Sequence, residues 1–362
     1  MGINEIIIYI MTIFMALGAL DRIIGNKFGL GEKFEEGIMA MGSLALAMVG
    51  VISLAPVLAN ILKPVILPLF NLLGADPAMF AGSILANDMG GAPLAAELAL
   101  TKEAGMFGGL IVGSMLGPTI VFTIPVALGI INKEDQKYLA TGILAGVITV
   151  PIGSFVGGLV AGFDIMMVLV NLIPIIIFSI LIALGLAFFQ KGMITAFTYF
   201  GKFVVIVITI GLAAAIIEAL TGIVVIPGMN PIYDGIKIVG DIAIVLAGAF
   251  PLVLAITKIF KKPLMALGKV LGMNEIAAAG MVASLANSIP MFQMMKDMDN
   301  KGKIINVAFA VSAAFVFGDH LGFTAGFNST MIFPMIVGKL VGGITAVIVA
   351  MLISKRILRS SW

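Results

Sequence analysis

The sequence predicts an all-α polytopic membrane protein with inverted-topology repeats, about nine spanning helices and two re-entrant hairpins. Three observations predict it: the composition, the number of long apolar runs and an internal repeat. Hydrophobic residues make up 61% of the 362 residues and charged residues 11%, against roughly 45–50% and roughly 25% in a soluble domain. Because a soluble fold covers its surface with polar side chains, this composition favours a chain solvated by lipid.

The composition also excludes several classes of function. A net charge of +2 is too small for a polyanionic partner, so we expect no nucleic-acid binding. With no Cys and one His, the chain lacks the usual ligands of disulfide, iron–sulfur and transition-metal sites, and we expect neither metal nor cofactor. Neither a Walker A motif nor a nucleophile–His–acid set stands out, so we do not expect an enzyme.

Nine apolar runs are long enough to cross a bilayer, since a spanning helix needs about 20 residues. Four of them precede the run at 165–190 and four follow it. The nine runs cover about residues 3–24, 37–62, 105–131, 138–162, 165–190, 200–226, 236–257, 304–329 and 331–354.

Two further stretches, 76–100 and 270–295, each have two short apolar arms around a polar centre. Each is typical of either a broken spanning helix or a re-entrant hairpin, because irregular backbone at membrane depth is tolerated only inside protein or along a wet cavity. The distribution of Lys and Arg favours hairpins, at about 76–100 and 264–295. With nine crossings, most of the 21 Lys and Arg residues then lie on one side, which predicts an outside N-terminus and an inside C-terminus.

Residues 37–82 recur at an offset of about 198 residues, with many glycines in register. With a small slip, Leu85-Ala86-Asn87 matches Leu285-Ala286-Asn287, and Phe122-Thr123 matches Phe323-Thr324. The predicted topology makes the two copies inverted, which is the architecture of secondary transporters. We therefore divide the chain into a first repeat (1–164), a linking helix (165–190) and a second repeat (191–362). The alternative is a chance match in Gly-, Ala- and Leu-rich sequence.

An acid at bilayer depth costs roughly 2.5–3.5 kcal/mol on insertion scales, so it needs a partner or a function. Asp88 is predicted to be a substrate carboxylate at a hairpin tip, the alternative being a helix N-cap. Asn287 and Ser288 occupy the matching place in the second hairpin and offer neutral hydrogen bonds. Asp319 and His320 lie within the run at 304–329, where they form either a proton or cation site or a structural pair.

Long strings in sequence order resemble the ethanolamine-utilisation membrane protein family, EutH. They include GINEIIIYIM (2–11), FEEGIMAMGSLALAMVG (34–50), MFAGSILANDMGG (79–91) and FGDHLGFTAGF (317–327). The resemblance implies a permease for ethanolamine in the cytoplasmic membrane of a bacterium, with ethanolamine and the lipid bilayer as partners, and the inverted repeat predicts that it works by alternating access. A homo-oligomer and a coupling ion, H⁺ or Na⁺, are left open.

The ammonium group of ethanolamine requires a carboxylate, neutral acceptors and aromatic faces in place of water. The predicted substrate-binding residues are Asn87, Asp88, Asn287, Ser288, Asp319, His320, Thr123, Thr324, Phe80 and Phe323. Two alternatives stay open: an ion-coupled transporter of another small amine or amino acid, and a non-transporting membrane scaffold of the ethanolamine pathway.

Overall fold

A computed structural model describes residues 2–359, except for the side chains of 260, 261, 264, 267, 269 and 355–359. Residues 360–362, which we assigned to the second repeat, lie outside the described residues. The described part is helical throughout and contains no strand. Its helices are α1 (Ile3–Ile23), α2 (Leu30–Leu72), α3 (Ala78–Ile84), α4 (Gly91–Leu98), α5 (Lys102–Ser114), α6 (Leu116–Ile130), α7 (Lys133–Val160), α8 (Ile165–Phe188), α9 (Gln190–Thr221), α10 (Ile232–Val270), α11 (Glu275–Ser284), α12 (Ser288–Met294), α13 (Asn300–Ala313), α14 (Asp319–Asn328) and α15 (Ile332–Arg359).

The number of spanning helices differs from the nine that we predicted. Within residues 2–359, seven helices are long and apolar enough to cross a membrane, or eight if α5 and α6, bent by 41°, form one span. If α5 and α6 are counted as one span, the remaining difference lies at 304–329, where α13 ends at Ala313 and α14 begins at Asp319. The apolar pattern continues through this break, so hydropathy alone could not reveal it.

Apolar side chains on the outer helices are exposed to the surroundings of the protein. Ile13 and Leu20 of α1 are each 58% exposed, and Ile206 of α9 is 56% exposed. A soluble protein rarely exposes a continuous apolar face of this kind. Together with the seven candidate spans, these faces identify an integral membrane protein.

The long helices α2 and α10 pack along each other, and α1 packs against both of them. The N-terminus of α2 is fixed by the buried carboxylate of Asp21. That carboxylate accepts hydrogen bonds from the backbone N–H groups of Phe28, Leu30 and Gly31 at 2.8–3.0 Å. An acid that accepts the unpaired N–H groups of a first helical turn is a strong capping arrangement. It therefore holds the turn between α1 and α2.

The two ends of the stretch 76–100 lie next to each other. The Asp76 carboxylate accepts a hydrogen bond from Ala78 N–H through Oδ1 and from Leu100 N–H through Oδ2, both at 2.9 Å. Asp76 N–H also donates to Asn171 Oδ1 on α8 at 2.7 Å. The Asp76 side chain thus links the start of α3 to the residue that follows the end of α4. The helices α3 and α4 therefore form a hairpin.

The second polar stretch is joined at its ends by an equivalent arrangement. Asn274 N–H donates to Asp299 Oδ1 at 2.8 Å, and Asn274 Nδ2 donates to the Asp297 carbonyl oxygen at 2.9 Å. Residues 264–270 belong to the last turns of α10 instead of to the hairpin, whose first helix begins at Glu275. The order of elements in 190–359 repeats that in 3–160, with α8 between them. The domain boundaries remain a prediction.

The break in each hairpin packs against the break in the helix that follows it. Phe315 and Phe317, between α13 and α14, donate their N–H groups to the carbonyl oxygens of Ser284 and Leu285 at 3.0 and 2.9 Å. In the first half, Gly117 lies so close to Leu85 that a Cβ atom would stand 1.9 Å from its carbonyl oxygen. The irregular backbone of each hairpin break is thus packed against the irregular backbone of the broken helix that follows it. Such packing lets buried N–H and C=O groups find hydrogen-bond partners.

Gly117→Ala is expected to destabilise the fold by about 1–3 kcal/mol, because the methyl group meets backbone that has little room to move. Gly129→Ala, on the same helix α6, is the matched control, since a Cβ atom there meets nothing within 4 Å. Thermal unfolding of the purified protein in detergent measures both. Equal melting temperatures for the two variants would contradict the close packing of α6 on the hairpin break.

Candidate functional site

A cavity of about 290 Å³ lies where the two hairpin breaks meet the broken helices. We call it the central cavity. Its walls come from α2, from the breaks at 86–89 and 287–289, from α6, and from the residues around the start of α14. Since one water occupies about 30 Å³ of liquid, the space suits a small solute with several waters.

Four predicted site residues line the central cavity together. They are Asp88, Asn287, Asp319 and His320. Asp88 follows the break after α3, and Asn287 caps α12 by accepting the Ile289 N–H at 2.8 Å. Residues some 200 positions apart in the sequence therefore share one space.

The two carboxylates differ in their surroundings. The Asp88 side chain is only 16% exposed and lies 3.9 Å, from Oδ1, to Nε2 of His320. Asp319 is the first residue of α14 and is half-buried. Asp88 and Asp319 line the same cavity, so their carboxylates repel each other when both are ionised. A cation placed between them would remove that repulsion.

His320 connects the central cavity to a buried lysine on α15. Lys339 Nζ lies 3.0 Å from His320 Nδ1 and donates a hydrogen bond to the Ser114 carbonyl oxygen, where α5 ends. Nε2, on the other side of the imidazole ring, faces Asp88. At 3.9 Å the two atoms are too far apart for a direct hydrogen bond.

Aromatic rings cover one wall of the central cavity, but they are not the predicted ones. Phe122 and Phe315 line it and meet edge to face with centroids 5.4 Å apart. Phe315 also packs on the His320 ring at 5.2 Å. Its φ of 63° is in the left-handed region, which a bulky residue rarely adopts. The bonds to the second hairpin hold this strained conformation in place.

The remaining predicted site residues lie outside the cavity wall. Asn87, Ser288 and Thr324 are fully buried, and their side-chain polar atoms have no hydrogen-bond partner within the described protein. The rest do not line the cavity either: Thr123 is buried on α6, Phe80 is half-buried on α3, and Phe323 is buried and stacks on Phe327. Whether any of these residues binds solute remains a prediction.

A second cavity of about 440 Å³ adjoins the first. We call it the vestibule. It shares Asn287, Ile289 and Asp319 with the central cavity and extends to Lys33 and Glu36 in the first turns of α2, which form an ion pair. Asp319 therefore lies between the central cavity and the N-terminal end of α2.

The chemistry of this site suits an organic cation. In the part of the chain that the structure describes, no group of three His, Asp or Glu side chains is placed to hold a metal ion. Two carboxylates, an amide oxygen and two ring faces instead surround a small space. Such a set binds an ammonium group through charge-assisted hydrogen bonds and cation–π contact.

The sequence analysis missed Lys339 as a site residue. It is 1% exposed, and among the described residues it ranks with the largest fully buried side chains. The available signal was a lone cation in the apolar run at 331–354, since a charge at that depth needs a partner. The face of the helix on which it lies, and hence its contact with His320, follows only from the packing of α15.

The chain matches one family model and several curated proteins. Residues 3–353 match the family described as "Ethanolamine utilisation protein, EutH". The "Probable ethanolamine permease EutH" of Listeria monocytogenes serotype 1/2a (strain 10403S) is 70% identical over 361 residues, covering 100% of this chain and 97% of the relative. The protein of the same name from Escherichia coli (strain K12) is 55% identical over 376 residues, covering 93% and 92%. The "Uncharacterized protein YxeR" of Bacillus subtilis (strain 168) is 55% identical over 338 residues, covering 93% and 91%. No solved structure matches the chain.

The shared cavity predicts a short cross-link between the hairpins. Because the chain has no Cys, Met89→Cys and Ile289→Cys place the only two thiols in one space. A short bismaleimide should join the two thiols. The cross-linked protein should then migrate faster than the unlinked protein in denaturing gels. Met89→Cys paired with Ile165→Cys, at the exposed start of α8, is the control. Equal cross-linking of both pairs would contradict the arrangement.

Proposed function

Because the chain belongs to the family of the ethanolamine utilisation protein EutH, we propose that it carries ethanolamine across the bacterial cytoplasmic membrane as a permease and is not an enzyme. The names of relatives in Listeria monocytogenes and Escherichia coli support transport. The observation that carries the proposal is the central cavity, in which two acids from different halves of the chain lie at the meeting point of two broken hairpins.

The proposed binding mode follows from the two ends of the solute. The ammonium group binds between the carboxylates of Asp88 and Asp319, where it replaces mutual repulsion by attraction. The hydroxyl group, two carbons away, bonds to the Asn287 amide. The rings of Phe122 and Phe315 cover the methylene groups and one face of the ammonium group. A charged solute leaves water only if each lost hydrogen bond is replaced in this way.

The proposed topology has the N-terminus outside and treats both hairpins as re-entrant. The hydrogen bonds that join Asp76 to Leu100 and Asn274 to Asp299 support it, because each hairpin then enters and leaves on one side. In this topology α2 begins on the inside, so the vestibule at Lys33 and Glu36 leads to the cytoplasm. The halves 1–164 and 191–362 would be inverted copies.

Alternating access would arise from motion of one group of segments past the other. The first group contains α1, α2, α9 and α10, and the second contains both hairpins with the broken helices after them. The observation behind this division is that Asp88, Asn287, Asp319 and His320 all belong to the second group. Inversion makes the inward- and outward-facing states near mirror images, so one binding site serves both.

Asp88→Asn is expected to abolish saturable ethanolamine uptake, because it removes the buried negative charge that replaces the hydration of the ammonium group. The measurement is uptake of labelled ethanolamine into liposomes that contain the purified protein, with and without pH and sodium gradients. Asp164→Asn is the control, since Asp164 is an exposed N-cap of α8 and Asn caps equally well.

Three outcomes decide between the functions under consideration. Full uptake by Asp88→Asn at unchanged affinity would reduce Asp88 to a capping role. Saturable transport of another small amine or an amino acid, with none of ethanolamine, would select a different solute. No transport of any solute by the unaltered, folded protein would favour a membrane scaffold.

Re-entrant hairpins predict the side from which single cysteines react. Asn71→Cys and Lys102→Cys, just before and just after the first hairpin, should both react with a membrane-impermeant thiol reagent from outside. Lys133→Cys, at the start of α7, should react only from inside. All three positions are exposed. Labelling of Asn71→Cys and Lys102→Cys from opposite sides would show that the hairpin crosses the membrane.

A further inference from the structure

The vestibule contains an acid that the binding mode above does not use. Glu36 lies in the first turns of α2 and lines the vestibule together with Asp319. Its carboxylate is paired with the ammonium group of Lys33, one turn earlier on the same helix. The side chains of Lys33 and Glu36 are 36% and 52% exposed, and an ion pair with this exposure is weak. The ammonium group of a solute can therefore replace that of Lys33 at little cost.

The vestibule connects Glu36 to the central cavity. It has a volume of about 440 Å³ and shares Asn287, Ile289 and Asp319 with the central cavity. Among the described residues that line the vestibule, the charged ones are Lys33, Glu36 and Asp319. A cation that leaves the central cavity through the vestibule therefore passes from Asp319 to Glu36 before it reaches the end of α2.

The internal repeat places a second acid at the position equivalent to Glu36. At the offset of 198 residues, residues 36–38 (Glu-Gly-Ile) fall on residues 234–236 (Asp-Gly-Ile). Asp234 lies in the first turn of α10 and is exposed. Each copy of the repeat thus carries one exposed carboxylate near the start of its long helix.

The two long helices run in opposite directions where they pack together. A Cβ atom added to Gly37 of α2 would meet Leu246 of α10, whereas one added to Gly235 of α10 would meet Val49 of α2. The start of each helix therefore lies beside a later part of the other helix. Glu36 and Asp234 accordingly lie near opposite ends of the paired helices.

The end near Asp234 differs from the vestibule in being closed. At the same offset, Ile52 of α2 is equivalent to Phe250 of α10, which lines the vestibule. Ile52 is instead buried, and Asn230 contacts this part of α2 by donating its N–H to the Ser53 carbonyl oxygen at 2.9 Å. One open and one closed mouth are what alternating access by two equivalent halves requires.

We infer that Glu36 is a further ammonium-binding residue, to which the solute binds between the central cavity and the water by taking the place of the Lys33 ammonium group. Asp234 binds the solute in the same way at the opposite mouth when that mouth opens. A carboxylate at the mouth of a cleft raises the local concentration of cations, so each acid promotes entry from its own side. The inference rests on the proposed function and adds one shallow cation position at each mouth to the central site.

The test measures KM for labelled ethanolamine in bacterial membrane vesicles of both orientations that contain the full chain. In the proposed topology, inside-out vesicles present the vestibule to the medium and right-side-out vesicles present the opposite mouth. Glu36→Gln should raise KM about five-fold in inside-out vesicles only, because the altered mouth attracts fewer cations. Asp234→Asn should raise KM in right-side-out vesicles only.

Two further variants separate binding of the ammonium group from support of the fold. Glu35→Gln is the matched control, since Glu35 is also 52% exposed and pairs with Arg22 but does not line the vestibule. It should leave both KM values unchanged. Lys33→Gln removes the competitor of the solute and should lower KM in inside-out vesicles. An ion pair that only stabilised α2 would respond alike to the loss of either partner.

The outcomes distinguish this inference from the proposed function. If vesicles with the unaltered protein take up no more ethanolamine than vesicles without it, the proposed function fails. If uptake is present but Glu36→Gln behaves as Glu35→Gln does, or Lys33→Gln also raises KM, the role of Glu36 is wrong. Effects of Glu36→Gln and Asp234→Asn on the same side would overturn the equivalence of the two acids. If Glu36→Gln does not reach the membrane, the direction of the change in Lys33→Gln decides alone.

Discussion

The fold depends on the pairing of one interrupted helix with another inside the protein. Backbone groups freed at a break must find partners, because the lipid around the chain offers none. In the second half, the N–H groups of Phe315 and Phe317 meet the carbonyl oxygens of the hairpin break directly. In the first half, Gly117 allows equally close contact with Leu85. Breaks that would each be costly alone thus become tolerable together, and the cavity forms where they meet.

Polar side chains at the hairpin ends make this pairing possible. Asp76 and Asp299 each accept hydrogen bonds from residues that are distant in sequence. These bonds hold the two ends of each hairpin next to each other. The same acids could be mistaken for solute ligands in the sequence, since nothing there shows that their oxygens are occupied. Asp88 of the central cavity instead faces a side chain, with 3.9 Å between its Oδ1 and Nε2 of His320.

The sequence pattern predicted the helices and the meeting of Asp88 with Asn287, but it did not predict which aromatic residues line the cavity. The repeat placed Asn287 opposite Asp88, and both line the central cavity. Phe80 and Phe323 are the predicted aromatic residues, whereas the rings that line the cavity are those of Phe122 and Phe315. The position of Phe315 depends on a left-handed backbone that apolar periodicity cannot reveal. The break at 314–318 and the bend between α5 and α6 are likewise invisible in the apolar pattern, and they account for the difference between nine predicted spans and the seven or eight of the described residues.

The unpaired polar groups next to the cavity complete this account. Asn87 and Ser288 are each adjacent in sequence to a cavity residue, and Thr324 follows on α14. A buried polar group without a partner costs about 1–3 kcal/mol, so apolar residues of similar size would stabilise one fixed conformation better. Buried polar groups that lack a protein partner can bond to water or to a solute. Asn87 and Ser288 place such groups at both hairpin breaks, next to residues that line the central cavity.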